Sequence, residues 1–128
     1  MNAEMKKYPV YNPFAIYGGN SIKCKVVKVY DGDTIWVATC GLPGTPGNTE
    51  MVRLKLRLKG INSEELKSKS DKAINAKNYM TQLLLGKDVY CTFLGYDNFA
   101  RVLSVVYLDG MNVNQHMIDT GHAVPYMV

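Results

Sequence analysis

The segment VRLKLRLKG, residues 52–60, constrains the fold more than any other stretch. Val52, Leu54, Leu56 and Leu58 alternate without exception with Arg53, Lys55, Arg57 and Lys59. A strict period of two puts the four apolar residues on one face of an extended chain and the four cations on the other, whereas a helix would mix them. The segment is predicted to be a strand with one face on a core. Such a strand needs a neighbouring strand to hydrogen-bond with.

Partners are legible on either side. In SIKCKVVKVY, residues 21–30, Ile22, Cys24 and Val26 alternate with Lys23 and Lys25. The alternation breaks at Val26-Val27, where a bulge is expected. Asp31-Gly32 reads as hairpin punctuation, followed by the strand TIWVATC, residues 34–40. GLPGTPGN, residues 41–48, is a loop, and INSEELKSKS, residues 61–70, a polar connection. In DKAINAKNYMTQLLLG, residues 71–86, the period changes: Ala73, Ala76, Met80 and Leu83/Leu84 form a helical stripe. Ser70 is the expected N-cap and Gly86 the residue that ends the helix. DVYCTFL and ARVLSVVYL are two further strands, Asp109-Gly110 a turn, and MNVNQHMIDTG a short helix stopped by Gly121, after which HAVPYMV closes the chain.

The order is three strands, a helix, two strands and a helix. Five short strands are few for a sandwich but suit a small barrel, because closure leaves no sheet edge exposed. The expected fold is mainly β with helices (α+β): an OB-type five-stranded barrel, one helix between strands 3 and 4 and a second after strand 5. Residues 21–128 make one domain, and residues 1–20, rich in Tyr, Pro, Gly and Asn, an N-terminal extension.

Composition narrows the class. A chain of 128 residues suits a single domain. No apolar run approaches the ~18 residues of a membrane span, and the N-terminus lacks an apolar stretch of signal-peptide length. No membrane partner, a monomeric state and an intracellular location are expected, with a secreted mature form that has lost its signal as the alternative. Cys24, Cys40 and Cys91 match no metal or redox spacing and read as small buried residues in a reducing compartment. His116 and His122 read as packing or surface residues. The net charge of +4 is compatible with a polyanionic partner.

The residues with chemistry in them sit at strand ends: Asp31 and Asp33 at the first turn, Arg57, the run Asn62, Ser63, Glu64 and Glu65, and Arg101. Singly, each has an ordinary reading as turn, cap or solvated surface. If the strands close into a barrel, they converge at one end. Together they supply oxygen ligands for a hard cation, a spare carboxylate and two guanidinium forks, which is what phosphodiester cleavage needs.

VVKVYDGDTIWV, LRLKGINSEEL and DNFARVLSVVYLDGMNVNQHMIDTGHAVPY, in that order around a helix, resemble the staphylococcal nuclease (thermonuclease) family. The resemblance runs from about Ile22 to Tyr126 and implies an OB barrel with helices. It also implies a calcium-dependent nuclease acting on DNA or RNA, cutting on the 5′ side of the phosphodiester to leave 3′-phosphate ends. By the same resemblance Asp33 is a calcium ligand, with Asp31 beside the ion, and Ser63 gives it a backbone carbonyl. Asn62 stands where the family has its second metal aspartate. Arg57 and Arg101 bind the scissile phosphate, Glu65 is the general base, and Phe99 and Tyr126 line the nucleotide pocket. Two departures stand out: Asn62 is neutral, which implies weaker calcium binding, and Glu64 replaces a proline. The other reading left open is a nucleic-acid or protein binding module with a weakened site.

Overall fold

The structure, a computed structural model, describes residues 21–40, 51–64 and 69–126. The expected N-terminal extension, the loop at 41–48 and Glu65 lie outside the described residues, as do the side chains of Cys40 and Met51. In chain order the elements are β1 (Ser21–Asp31), β2 (Thr34–Cys40), β3 (Met51–Leu58), β4 (Ile61–Asn62), α1 (Asp71–Leu84), β5 (Asp88–Tyr96), β6 (Val102–Leu108), β7 (Met111–Asn112), α2 (Val113–Asp119) and β8 (Val124–Pro125).

β1 pairs antiparallel with β2 across the two-residue turn Gly32-Asp33, and β2 pairs antiparallel with β3. On its other edge β1 pairs with β5, and β5 with β6. β6 then lies parallel beside β3, with Leu56 opposite Val102, Arg57 opposite Leu103 and Leu58 opposite Ser104. That last pairing turns a five-stranded sheet into a closed mixed barrel, the OB-type α+β arrangement expected from the pattern of strands. Val26, Ile35, Val37, Leu56, Leu58, Val89, Cys91 and Val106 fill it, and Met80 and Leu84 of α1 with Val113 and Met117 of α2 join the same core. Cys24 and Cys91 are buried free thiols, as expected.

Local signals hold up in detail. The β1–β2 register shifts between Val26 and Lys28, so the break in alternation is a bulge. At the bulge the Val26 N–H donates to the Lys87 carbonyl and the Gly86 N–H to the Val26 carbonyl, both at 2.9 Å, anchoring the end of α1. Ser70 Oγ accepts from the Ala73 N–H at 3.1 Å as the N-cap, and Gly86 takes the left-handed φ of +78° that ends the helix. His116 packs rather than facing solvent freely: the Tyr79 hydroxyl and its Nε2 are 2.6 Å apart, while the Tyr79 ring stacks on His122 at 4.0 Å.

Two stretches differ from the expectation. The segment expected to begin the second helix at Met111 first pairs with β6 as β7, and Asn112 then caps α2 by accepting from the Gln115 N–H at 3.0 Å. The segment HAVPYMV, to which no element was assigned from the sequence, contributes β8: Val124–Pro125 pairs with Ile61–Asn62, and the Tyr126 N–H donates to the Gly60 carbonyl at 2.8 Å. Two-residue strands carry no periodicity, so neither is visible in the sequence.

One buried amide holds the barrel seam. Asn114 donates through Nδ2 to the carbonyls of Lys59 (2.9 Å) and Ser104 (3.0 Å), and its Oδ1 accepts from the Val106 N–H (3.1 Å). It thereby fastens the chain leaving β3 to β6. Replacing it with leucine leaves the Val106 N–H and the Lys59 carbonyl without this partner. Asn114→Leu is expected to cost about 2–4 kcal/mol in urea unfolding, given about 1–3 kcal/mol for each unsatisfied buried group. A loss under about 0.5 kcal/mol, the usual range for an inconsequential surface change, would show that the seam does not depend on it.

Candidate nuclease-type cleft

A cleft of about 420 Å³ opens where the β1–β2 turn, the end of β3, β4, the β5–β6 turn and the residue after β8 meet. Its walls include Asp31, Asp33, Arg57, Asn62, Phe99, Arg101 and Tyr126. Seven of the residues singled out from the sequence thus share one opening. Ser63 lies just behind it and Glu65 lies outside the described residues.

The first turn is pressed into the protein. A Cβ on Gly32 would fall 2.7 Å from the Ala76 Cβ and 2.8 Å from the Ser63 Cβ, so only glycine lets the turn pack this closely against α1 and the chain after β4. The consequence is that Asp31 and Asp33 are only 7% and 5% exposed. Asp31 Oδ1 accepts from the Asp33 N–H at 3.1 Å, so it does make the turn. Asp33 is held from two sides: Oδ2 accepts from the Ser63 N–H and Oδ1 from the Thr34 hydroxyl, both at 2.9 Å.

The two arginines reach the same carboxylate by different routes. Arg57 belongs to the cationic face of β3, yet it is 8% exposed rather than solvated. Its Nη1 donates to the Leu58 carbonyl at 2.9 Å and lies 3.5 Å from Asp33 Oδ2, and Nη2 donates to Asn62 Oδ1 at 3.2 Å. The Tyr126 ring centroid is 6.0 Å from its guanidinium carbon, which the β4–β8 pairing makes possible. Arg101 Nη1 donates to Thr34 Oγ1 at 3.3 Å, and Phe99 lies 5.4 Å from its guanidinium carbon. Thr34 therefore links Arg101 to Asp33.

Asp97 aims Arg101. Its Oδ2 accepts from Arg101 Nε at 2.6 Å, and its Oδ1 accepts the N–H groups of Phe99 and Arg101 at 2.9 Å. Burial opposes the charge, but those N–H groups and the guanidinium outweigh it and hold the carboxyl below its usual range. Sequence reasoning assigned no role to Asp97 and Tyr96, which line the cleft, or to Thr34, which is buried behind it between Asp33 and Arg101. For Asp97 a signal existed, since an aspartate two residues before Phe99 suits a side-chain-closed turn; for Thr34 and Tyr96 there was none.

The donor set is all oxygen: two carboxylates, the Asn62 amide and the hydroxyls of Thr34 and Ser63. That chemistry fits a hard cation such as calcium rather than a soft one. Ser63 Oγ, buried beside this set, has no hydrogen-bond partner. Among the described residues no group of three or more His, Cys, Asp or Glu side chains gathers, so a cation here would rest on two carboxylates completed by neutral oxygens and water.

Crowding two carboxylates has a measurable cost. Burial, and then the Asp33 carboxyl, push Asp31 up to about 7, against the smaller pull of Arg57. The unfolded chain releases this proton near pH 3.9. The folded state is therefore favoured below that value and loses stability as pH rises toward 7. Asp31→Asn is expected to raise Tm at pH 7.5 in chelator by several degrees, with the difference closing toward pH 4. A difference that does not change with pH would mean Asp31 carries no such penalty.

Comparison with known proteins agrees with this geometry. The family model described as "Staphylococcal nuclease homologue" matches residues 55–128, a span that includes Arg57, Arg101 and Tyr126. An Escherichia coli protein named "Uncharacterized endonuclease" is 36% identical over 103 residues, covering 80% of this chain and 60% of that protein. A Haemophilus influenzae protein of the same name is 34% identical over 103 residues, covering 80% of this chain and 52% of that protein. The chain thus spans a little over half the length of these relatives. With more than half of its length matched, the chain belongs to the staphylococcal nuclease homologue family.

Proposed function

We propose that the chain is a calcium-dependent nuclease that hydrolyses phosphodiester bonds of DNA or RNA. The observation that carries this reading is the meeting of two guanidinium groups and two buried carboxylates in one cleft, joined through Thr34. The endonuclease names of the two relatives support the same class of reaction.

In this reading Arg57 and Arg101 grip the phosphate. Both present forked donors suited to two phosphate oxygens at once, which lysine cannot match. The 3.5 Å between Arg57 and Asp33 exceeds hydrogen-bond length, so the guanidinium is attracted there without being locked. Asp97 fixes the Arg101 fork before substrate arrives, and a charge held in place beforehand is best used where negative charge grows in the transition state. Phe99 and Tyr126 flank the two guanidinium groups as platforms for the nucleotide. Asp33, with the Ser63 carbonyl and the Asn62 amide, would hold calcium, with Asp31 beside the ion; calcium, when bound, neutralises phosphate charge and orients a water. Glu65 takes a proton from the attacking water as the water oxygen bonds to phosphorus, the bond from phosphorus to the 5′ oxygen breaks, and the leaving 5′ oxygen takes a proton from solvent water to become a hydroxyl.

One observation favours a second reading, a binding module with a weakened site. Asn62 is neutral, and its carbonyl oxygen is engaged by Arg57 at 3.2 Å. Plasmid incubated with the purified protein separates the two: cleavage at millimolar calcium that stops in chelator is expected. Glu65→Gln should lower kcat by about 10²–10⁴-fold while leaving substrate affinity nearly intact. Plasmid left intact at every calcium concentration would favour the binding module.

Asn62→Asp tests the metal independently of turnover. Adding a carboxylate at that position is expected to tighten calcium by about tenfold, because ligand charge sets calcium affinity. Unchanged calorimetric affinity would remove Asn62 from the ligand set.

A further inference from the structure

The outer face of the β1–β2–β3 sheet has a charge and aromatic pattern that the cleft does not use. These three strands carry Lys23, Lys25, Lys28, Arg53, Lys55 and Arg57 against one carboxylate, Asp31. The register sorts them into rows across the sheet. Asp31, Thr34 and Arg57 form the row at the cleft. Lys28, Trp36 and Lys55 form the next, and Lys25, Ala38 and Arg53 the one beyond. Because strand side chains alternate, Arg57, Lys55 and Arg53 share one face, each about 6.7 Å further from the cleft. The face is thus a cationic ladder that begins at a phosphate-binding arginine.

Two of these cations, Lys55 and Arg53, rest on aromatic rings. Lys55 Nζ lies 4.7 Å from the Tyr30 ring and 5.8 Å from the Trp36 ring, and the Arg53 guanidinium carbon 5.8 Å from Trp36. Among the described residues, no ion pair with a carboxylate holds Lys25, Lys28, Arg53 or Lys55. Tyr30 is 46% exposed, beside the register shift between Val29 and Asp31. A cation on an exposed ring is held by only about 0.5–1 kcal/mol. It exchanges readily for a phosphate oxygen, and the ring it leaves can take a base, a contact worth about 1–3 kcal/mol. A ligand that offers both at once is a polyanion with accessible flat faces. Duplex nucleic acid has the charge but stacks its bases away.

We propose that the outer face of β1–β2–β3 is a track for single-stranded nucleic acid leading to the cleft, with phosphates on Lys55 and Arg53 and bases on Trp36 and Tyr30. The proposal rests on reading the cleft as a phosphodiester site, and it explains how a strand longer than the cleft is held in register with it.

Trp36 is the only tryptophan in the chain, so its fluorescence reports this face alone. The probes are a thymidine dinucleotide, a thymidine strand of about twelve nucleotides, within the usual site size of an OB barrel, and a duplex of equal length, all in chelator. The longer strand is expected to quench Trp36, with an affinity that falls as salt rises. Replacing both Arg53 and Lys55 with alanine should weaken that strand by about tenfold or more and flatten the log–log salt dependence by about 1.4, two contacts at about 0.7 each. The loss should be much smaller for the dinucleotide. Trp36→Leu, checked for folding by circular dichroism, should weaken the longer strand as well.

Equal quenching by the duplex, no quenching by the single strand, or an equal loss for the dinucleotide would each overturn the track. The two readings fail separately: quenching without cleavage at any calcium concentration supports the track and removes the nuclease, while cleavage with Trp36 unresponsive removes only the track.

Discussion

The parallel pairing of β3 with β6 is the constraint on which the rest of the molecule depends. It sets Leu56, Arg57 and Leu58 beside Val102, Leu103 and Ser104, and so brings Arg57 near Arg101 although 44 positions separate them in the chain. Asn114 fastens this seam by taking up backbone groups on both sides, from Lys59, Ser104 and Val106. Parallel strands need a long crossover, and here α1, packed on β1, lies within it. The cleft is what is left at the end of the closed barrel, and its walls are the turns and short strands that closure brings together.

Within that frame the site is an electrostatic compromise. Gly32 lets the first turn sink until two carboxylates are almost fully enclosed, a placement that burial alone disfavours. Hydrogen bonds from Ser63 and Thr34 and the nearby Arg57 charge make it tolerable. Asp31 shows the remaining tension in its raised proton affinity. Stability given up at a functional site is a common pattern. Away from the cleft the balance reverses: the outer sheet face is cationic, and Lys55 and Arg53 rest on aromatic rings.

Much of the fold was legible because strand and helix periods leave direct marks. The alternation in residues 52–58, the break at Val26-Val27, the Ser70 cap and the stripe of Ala73, Ala76, Met80 and Leu84 each express a local geometric rule. The candidate site was legible as a set of residue types at strand ends. Arg57 was harder, since on pattern alone it belongs to the outward face; its burial comes from Tyr126, Asp33 and Asn62, all distant in sequence. Asp97 and Thr34 escaped notice because their importance lies in whom they touch.

The sequence by itself determined the period of each element, the places where the chain turns, and the inventory of carboxylate, amide and guanidinium groups. These depend on neighbours a few positions away, where backbone geometry dictates the outcome. Tertiary structure alone decided that Asp33, Arg57 and Arg101 share an opening, that the last described residue, Tyr126, covers Arg57, and that Lys28, Trp36 and Lys55 lie in one row. Those facts follow from strand register and barrel closure, which are set by the packing of the whole core and leave no trace in any short stretch of sequence.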